Sequence, residues 1–264
     1  MNSSRLSLLC LLLTALLLPF GSLSAQNSDP LAQEPAVAGT PENTAAVKRL
    51  QGEYLILAGG PAIRRWEVLR YRHQQHDRWW ANFLAASNVR TRQLIGLGVP
   101  PSSITWLVYR PAYQRRAGEE GKPLTAYVQN LAAKRGVRLV WFNNQDELIS
   151  YINRGNNRGS NKIVSFDFFG HSNKYCFMFD YSSEISGTSG TWLHERDLKK
   201  LSRSAFDKKA FCKSWGCHTG ESMSAKWRSA VGVPLYGAMG KTDYVPTGRG
   251  QLPVLSTAAG EWAR

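Results

Sequence analysis

Two apolar runs, residues 162–169 and residues 209–216, constrain the fold of this chain more than any other feature. Each run has the length of a buried strand, and each leads into a short segment that carries glycine and polar residues. We expect both runs to lie parallel in one sheet. The residues that follow them would then emerge at the same carboxyl edge, which is where open α/β sheets carry their ligands.

Strand-like and helix-like segments alternate along the rest of the chain. Further strands are predicted at residues 53–58, 104–109, 137–142 and 233–239, and helices at residues 65–87, 124–134, 144–152, 195–201 and 221–230. The basic segment 110–122 is expected to be a loop, and residues 175–181 are expected to pair with residues 188–193 as a hairpin arm. This alternation predicts an α/β fold with a mostly parallel central sheet that is flanked by helices.

The first 25 residues are typical of a secretory signal peptide. Arg5 supplies a positive start, residues 8–18 form a short apolar core, and residues 22–25 offer small side chains for cleavage. The core is too short to serve as an anchor, because spanning a bilayer takes roughly 20 apolar residues. We therefore expect an exported chain without a transmembrane segment after processing, and both the periplasm and the cell exterior remain open as its location.

Composition sets the domain boundaries. Residues 26–47 are rich in Ala, Pro, Gln and Asn and show no periodicity, which predicts a flexible leader. Residues 48–264 are enough for one sizeable domain.

The chain is strongly basic, with a formal net charge of +14. A basic exported protein is expected to associate with anionic surfaces such as envelope polymers or lipid headgroups, or with a partner protein. No recognisable nucleic-acid motif accompanies the charge, so we do not expect specific binding of nucleic acid. A basic face that is merely solvated stays open as an alternative.

The cysteines do not form obvious pairs. Removal of Cys10 with the signal peptide leaves Cys176, Cys212 and Cys217, an odd number, so at least one thiol lacks a partner within the chain. Exported proteins usually contain disulfides. The sequence leaves open whether Cys176 and Cys212 form a bridge.

An imidazole and a thiol follow the two apolar runs. His171 comes after the first run and Cys217 directly follows the second. A histidine close to a cysteine can activate the thiol as a nucleophile and then protonate the leaving group. The pattern predicts a cysteine-dependent hydrolase with His171 and Cys217 as its catalytic residues, and it indicates no cofactor.

These motifs resemble the caspase-like superfamily of cysteine peptidases, which includes caspases, metacaspases, gingipains and clostripain. The resemblance consists of Gly-His after an apolar strand and Cys-His-Thr-Gly at residues 217–220 after a second strand. Cys217 follows His171 by 46 positions, close to the spacing of about 50 in such enzymes. Residues 146–148 and the polar loop after them also resemble the run that precedes the histidine in metacaspases. The resemblance covers roughly residues 50–243, and it implies a caspase-like three-layer sandwich and a peptidase.

The resemblance also implies a role for each site residue. Cys217 would attack the peptide carbonyl and form a thioester, and His171 would act as the general acid and base. The backbone N–H groups of Ser172 and Cys217 would hold the oxyanion. Such donors commonly contribute about 3 kcal/mol each to stabilisation of the transition state.

The residues that would bind the substrate side chain depart from the pattern. Metacaspases carry an acidic residue two positions before the cysteine, and this chain has Trp215 there. A preference for Arg or Lys is therefore not supported, and an aromatic wall is an equal alternative. Asp167 and Asp180 flank His171 and could restore an acidic pocket, unless they serve structural roles.

Other readings compete with the cysteine hydrolase. The thiols and histidines lack the paired short-loop spacing of structural zinc sites, so no metal is expected. A serine hydrolase is disfavoured because Lys174 stands where a nucleophile elbow at Ser172 requires glycine. The strongest rival is an exported binding module with a caspase-like fold and no turnover, which docks on an anionic envelope component or a partner protein.

Overall fold

The computed structural model describes residues 50–71, 78–183 and 185–264. The signal peptide and the leader that the sequence predicts lie outside these residues. Within the three described ranges, every helix is too short or too polar to cross a membrane.

The strands and helices of the described ranges follow the predicted alternation. The strands are β1 Glu53–Ala58, β2 Ile104–Tyr109, β3 Arg138–Phe142, β4 Ile163–Phe169, β5 His171–Ser172, β6 Cys176–Met178, β7 Trp192–His194, β8 Phe206–Ser214, β9 Leu235–Met239, β10 Thr242–Asp243, β11 Val254–Leu255 and β12 Glu261–Ala263. The α-helices are α1 Arg64–Leu69, α2 Asn82–Gly96, α3 Arg110–Glu120, α4 Leu124–Arg135, α5 Gln145–Arg154 and α6 Met223–Val231. Short 3-10 helices occupy Pro101–Ser103, Glu195–Lys200, Arg203–Ala205 and Val245–Arg249.

In the described part of the chain, a seven-stranded sheet forms the centre, in the order β12, β9, β8, β4, β1, β2, β3. All its neighbouring strands pair in parallel except β12, which is antiparallel to β9. The chain extends the sheet from β1 towards β3, then returns to build β4, β8 and β9 on the other side of β1. A crevice is expected at this reversal, at the carboxyl ends of β1 and β4.

Helices cover both faces of the sheet. Alternate residues of β1 point to opposite faces, so Ile56 belongs to one hydrophobic core and Leu55 to the other. Helices α2 and α4 contribute to the core that contains Ile56, and α5 and α6 contribute to the core that contains Leu55. The predicted α/β class, a mostly parallel sheet between helical layers, is confirmed.

The single helix predicted over residues 65–87 is wrong. Helix α1 ends at Leu69, and a separate helix, α2, begins at Asn82. Every residue of α2 from Asn82 to Thr91 is buried. A helix that is covered on all sides has no polar stripe, so the apolar periodicity that marks a surface helix does not report its true position.

The loop predicted at residues 110–122 is also wrong, because α3 occupies most of it. Pro111 lies in the first turn, where the missing N–H costs nothing. Arg116 forms an ion pair with Glu120 at 2.8 Å along the helix. Gly121 ends the helix in the left-handed conformation, at a φ of 63°.

The predicted hairpin arm is present. Strand β6 pairs antiparallel with β7, and β5 pairs antiparallel with β6, so the three strands form a small sheet of their own. Gly170 separates the end of β4 from the start of β5 at His171. Strand β5 therefore places His171 and Ser172 between the central sheet and the arm.

Candidate active site

His171 and Cys217 line the same pocket, which has a volume of about 290 Å³. His171 follows β4, and Cys217 lies three positions after Ser214, the last residue of β8. Since β4 and β8 are parallel neighbours, both side chains emerge at the carboxyl edge of the sheet. The pocket is lined by Arg70, His171, Ser172, Tyr181, Cys217, His218 and Lys241.

A larger groove of about 690 Å³ lies between β3 and α5. Its lining includes Asp146, Glu147 and Arg154, and the described residues that line it include neither cysteine nor histidine. Of these two pockets, the smaller one is therefore the one that contains a thiol.

The backbone immediately after Cys217 adopts an unusual conformation. His218 has a φ of 62°, in the left-handed region that non-glycine residues rarely occupy. The His218 N–H donates to the Gly240 carbonyl at 2.6 Å, and His218 Nδ1 lies 2.5 Å from Glu221 Oε1. The surrounding contacts thus hold a strained turn that presents Cys217 at the pocket, an arrangement common at functional sites.

Ser172 and Gly216 bring the turn close to β5. The Ser172 hydroxyl donates a hydrogen bond to the Cys217 carbonyl at 2.7 Å. A Cβ atom on Gly216 would lie only 2.1 Å from Ser172 Oγ, so the approach requires glycine. The hydroxyl of Ser172 therefore fixes the peptide that carries the thiol.

The backbone N–H groups of Ser172 and Cys217 belong to two residues that line the pocket. Asn173 donates to the Cys176 carbonyl, and because hydrogen-bonded pairs alternate along an antiparallel ladder, the Ser172–Phe177 pair is a non-hydrogen-bonded one. The Ser172 N–H therefore points away from β6. The Cys217 N–H makes no hydrogen bond with any residue that the structure describes.

The sulfur of Cys217 contacts Thr242, the first residue of β10. The Thr242 N–H donates to Sγ at 3.4 Å, and Thr242 Oγ1 lies 3.5 Å from the same atom. Thr242 itself is buried. A residue 25 positions further along the chain thus fixes the orientation of the thiol.

All three cysteines of the described ranges, Cys176, Cys212 and Cys217, are free thiols, so the Cys176–Cys212 bridge is not formed. Burial raises the pKa of the Cys176 thiol to about 11, and the nearby Glu195 carboxylate adds to this. Complete burial raises the pKa of Cys212 further still. Of the three, Cys217 is the one that lines the pocket.

Aromatic rings hold the imidazole of His171. The ring centroid lies 5.0 Å from that of Phe83 in an edge-to-face contact and 4.4 Å from that of Tyr181. Phe83 belongs to the buried start of α2, and Tyr181 lines the pocket. The rings restrict the imidazole to a narrow range of orientations at the pocket wall.

The residues expected to bind the substrate side chain do not line the pocket. Trp215 is buried and stacks on Phe169, with ring centroids 5.7 Å apart. Its Nε1 donates to Asp167 Oδ1 at 2.9 Å, and Asp167 Oδ2 accepts from Arg90 Nε at 2.9 Å. Asp180 is fully buried and forms an ion pair with Arg115. All three therefore have structural contacts, and neither carboxylate is brought beside Cys217.

Four residues at the site were not identified from the sequence: Arg70, Tyr181, Lys241 and Thr242. Lys241 and Thr242 follow β9, so the rule that loops after parallel strands carry the site could have indicated them. No sequence signal marks Arg70 or Tyr181, because their positions depend on how α1 and the hairpin arm return to the sheet.

Among the described residues, no group of three or more His, Cys, Asp or Glu side chains is arranged to hold a metal ion. No protein family model, no curated protein and no solved structure matches this chain. The caspase-like resemblance therefore remains a matter of the motifs and their placement.

Proposed function

We propose that this protein is an exported cysteine-dependent hydrolase, a peptidase of the caspase-like type. One observation carries the proposal: Cys217 and His171 line a single pocket at the carboxyl edge of two neighbouring parallel strands. The free state of the thiol and the strained turn at His218 support it.

In the proposed reaction, His171 accepts the thiol proton as Cys217 Sγ attacks the carbonyl carbon of the peptide. The oxyanion that forms accepts hydrogen bonds from the N–H groups of Ser172 and Cys217. His171 then protonates the departing amine, which leaves a thioester on Cys217. Water, deprotonated by His171, attacks the thioester, releases the acid product and regenerates the thiol.

The apolar start of the chain and its charge support the location. Residues 1–25 match a secretory signal, and the formal charge of +14 would favour association with an anionic envelope surface. A peptide or protein substrate is proposed, and periplasmic and extracellular sites are both compatible with it.

The test is cleavage of a fluorogenic peptide library by the purified chain and by two variants. Cys217→Ala and His171→Ala are each expected to abolish cleavage and to keep the circular dichroism spectrum and thermal transition of the wild type. Cys176→Ala serves as the matched control, because Cys176 lies outside the pocket, and it should retain activity. Full activity in Cys217→Ala or His171→Ala would show that the dyad is wrong.

A second candidate function is a binding module with the same fold and no turnover. It is favoured by the contacts of Cys217 Sγ. Both hydrogen bonds of this sulfur with described residues are made with Thr242, and neither is made with the imidazole that would have to activate it. Active-site titration with iodoacetamide separates the two functions. A Cys217 that reacts faster than free cysteine supports the enzyme, whereas one that reacts no faster supports the binding module.

A further inference from the structure

Among the described residues that line it, the pocket around Cys217 contains cationic side chains and no acidic ones. Arg70 and Lys241 line it together with two histidines, and none of the described lining residues is Asp or Glu. The position that carries an acidic residue in metacaspases is Trp215, which is buried away from the pocket. The charge of the site is thus opposite to what binding of a basic substrate side chain requires.

The two carboxylates nearest in sequence to His171 both form ion pairs with arginines. Asp167 is 1% exposed and paired with the equally buried Arg90 at 2.9 Å. Asp180 is fully buried, pairs with Arg115, and accepts hydrogen bonds from Ser189 Oγ and the Gly190 N–H, each at 3.0 Å. Separating either buried ion pair would leave an uncompensated charge, so neither carboxylate is available to the pocket.

Of the cationic side chains in the pocket, Lys241 is the one whose charge is least compensated by a neighbouring carboxylate. Arg70 Nη1 lies 3.0 Å from Glu67 Oε1, and His218 contacts Glu221, whose pKa the His218 hydrogen bond lowers. Lys241 is exposed and forms no ion pair with a described residue. It lines the same pocket as Cys217, and it directly precedes Thr242, the residue in contact with Cys217 Sγ.

We propose that the pocket selects a substrate with an anionic group next to the bond that is cleaved, a carboxylate such as an Asp or Glu side chain, and that Lys241 determines this preference. The inference rests on the proposed function for the identity of the substrate. The electrostatic preference of the pocket is a property of the folded chain, and it can be measured without any peptide cleavage.

The measurement compares alkylation of Cys217 by iodoacetate, which is anionic, with alkylation by iodoacetamide, which is neutral. Both reagents form a carbon–sulfur bond and release iodide, so they differ mainly in charge. Peptide mapping by mass spectrometry reports Cys217 separately from Cys176 and Cys212. The rate constant for iodoacetate is divided by that for iodoacetamide, and this ratio is normalised to the same ratio for the uncharged thiol N-acetylcysteine amide. The normalised ratio is expected to be about 3 or higher at low salt and to fall as salt screens the charge.

Lys241→Glu is expected to lower this normalised ratio by about fivefold or more, because it replaces an attraction with a repulsion. Lys209→Glu is the matched control, since it makes the same change in net charge at an exposed position in β8. Lys209 lies five residues before the carboxyl end of that strand, roughly 16 Å from it, and its substitution should leave the ratio unchanged. A wild-type ratio no higher than that of N-acetylcysteine amide, or equal effects of the two substitutions, would overturn the proposal.

Peptide cleavage then identifies the substrate class. In a library that varies one residue beside the bond cleaved, peptides with Asp or Glu are expected to have a higher kcat/KM than those with Asn, Gln, Arg or Lys, and Lys241→Glu should reduce the difference. Cleavage without this preference would overturn the inference and leave the hydrolase intact. A chain that cleaves nothing but shows the Lys241-dependent alkylation ratio would refute the hydrolase and retain the anion-selective pocket.

Discussion

Thr242 donates a backbone hydrogen bond to Cys217 Sγ across an N–S distance of 3.4 Å, and its hydroxyl oxygen lies 3.5 Å from the same sulfur. These contacts connect the turn after β8 with the β10–β11 hairpin. Thr242 therefore orients the thiol of Cys217 in the pocket.

Thr242→Val removes the hydroxyl contact and retains the backbone donor and the shape of the side chain. We expect alkylation of Cys217 by iodoacetamide at neutral pH to slow by about threefold, which corresponds to the loss of one ordinary hydrogen bond. Thr242→Ser keeps the hydroxyl and should restore most of the rate. A Val variant that reacts as fast as the wild type would show that the hydroxyl has no effect on the thiol.

The three thiols are expected to differ in reactivity. The pKa of Cys176 is raised to about 11 from an ordinary value of 9.0, so little of it is thiolate near neutral pH. Cys212 is buried and its pKa is raised further, so it should react last. Mapping of alkylation between about pH 7 and pH 10 should show Cys217 modified first, with Cys176 gaining as the pH rises towards its pKa. Equal rates for Cys176 and Cys217 near neutral pH would contradict this order.

Gly216→Ala should disrupt the turn that carries the thiol. The added Cβ would lie 2.1 Å from Ser172 Oγ and 3.2 Å from the Gly170 carbonyl oxygen, which forces the Ser172–Cys217 contact apart. We expect a loss of about 1–3 kcal/mol in the free energy of unfolding and loss of most peptide cleavage.

Gly118→Ala provides the control for this substitution. Gly118 lies inside α3, and a Cβ added there would have no atom of the described residues beyond its own helix within 4 Å. Its replacement should stabilise the protein by about 0.5–1 kcal/mol and leave activity unchanged. Chemical denaturation measures both effects, and equal stability of the Gly216 and Gly118 variants would contradict the steric account.

The Arg90–Asp167 pair should matter for stability rather than for substrate binding. Arg90 Nη1 and Nη2 are buried without hydrogen-bond partners among the residues that the structure describes, so Asp167 supplies the compensation. Asp167→Ala is expected to cost about 3–5 kcal/mol in the free energy of unfolding. Glu261→Gln, at an exposed carboxylate, should change it by less than about 0.5 kcal/mol. An Asp167 variant with normal stability and a raised KM would instead show that this residue binds substrate.

The layout of the sheet could be predicted from the sequence because buried parallel strands appear as apolar runs. The carboxyl ends of such strands meet at one edge, so the convergence of His171 and Cys217 followed from the positions of β4 and β8. That convergence needed only local pattern and the geometry of a parallel sheet. Ser172 was indicated instead by the resemblance to the caspase-like superfamily, which implies an oxyanion donor directly after the histidine.

Other features of the fold and the site could not be predicted, because they depend on contacts between distant parts of the chain. Asp167 is paired with Arg90, 77 positions away, and nothing in either local sequence distinguishes a structural carboxylate from one that binds substrate. Helix α2 was misplaced because its burial on all sides removes the amphipathic signal. Arg70 reaches the pocket through the path of α1, which periodicity does not determine.

The central claim is that Cys217 becomes covalently acylated at a pocket shared with His171. The direct measurement is mass spectrometry of the protein after acid quenching of its reaction with an activated peptide ester. We predict an acyl group on the Cys217 peptide of the wild type, little or none in His171→Ala, and none in Cys217→Ala. Hydrolysis of the ester at the wild-type rate by Cys217→Ala, or acylation at any other residue, would contradict the account.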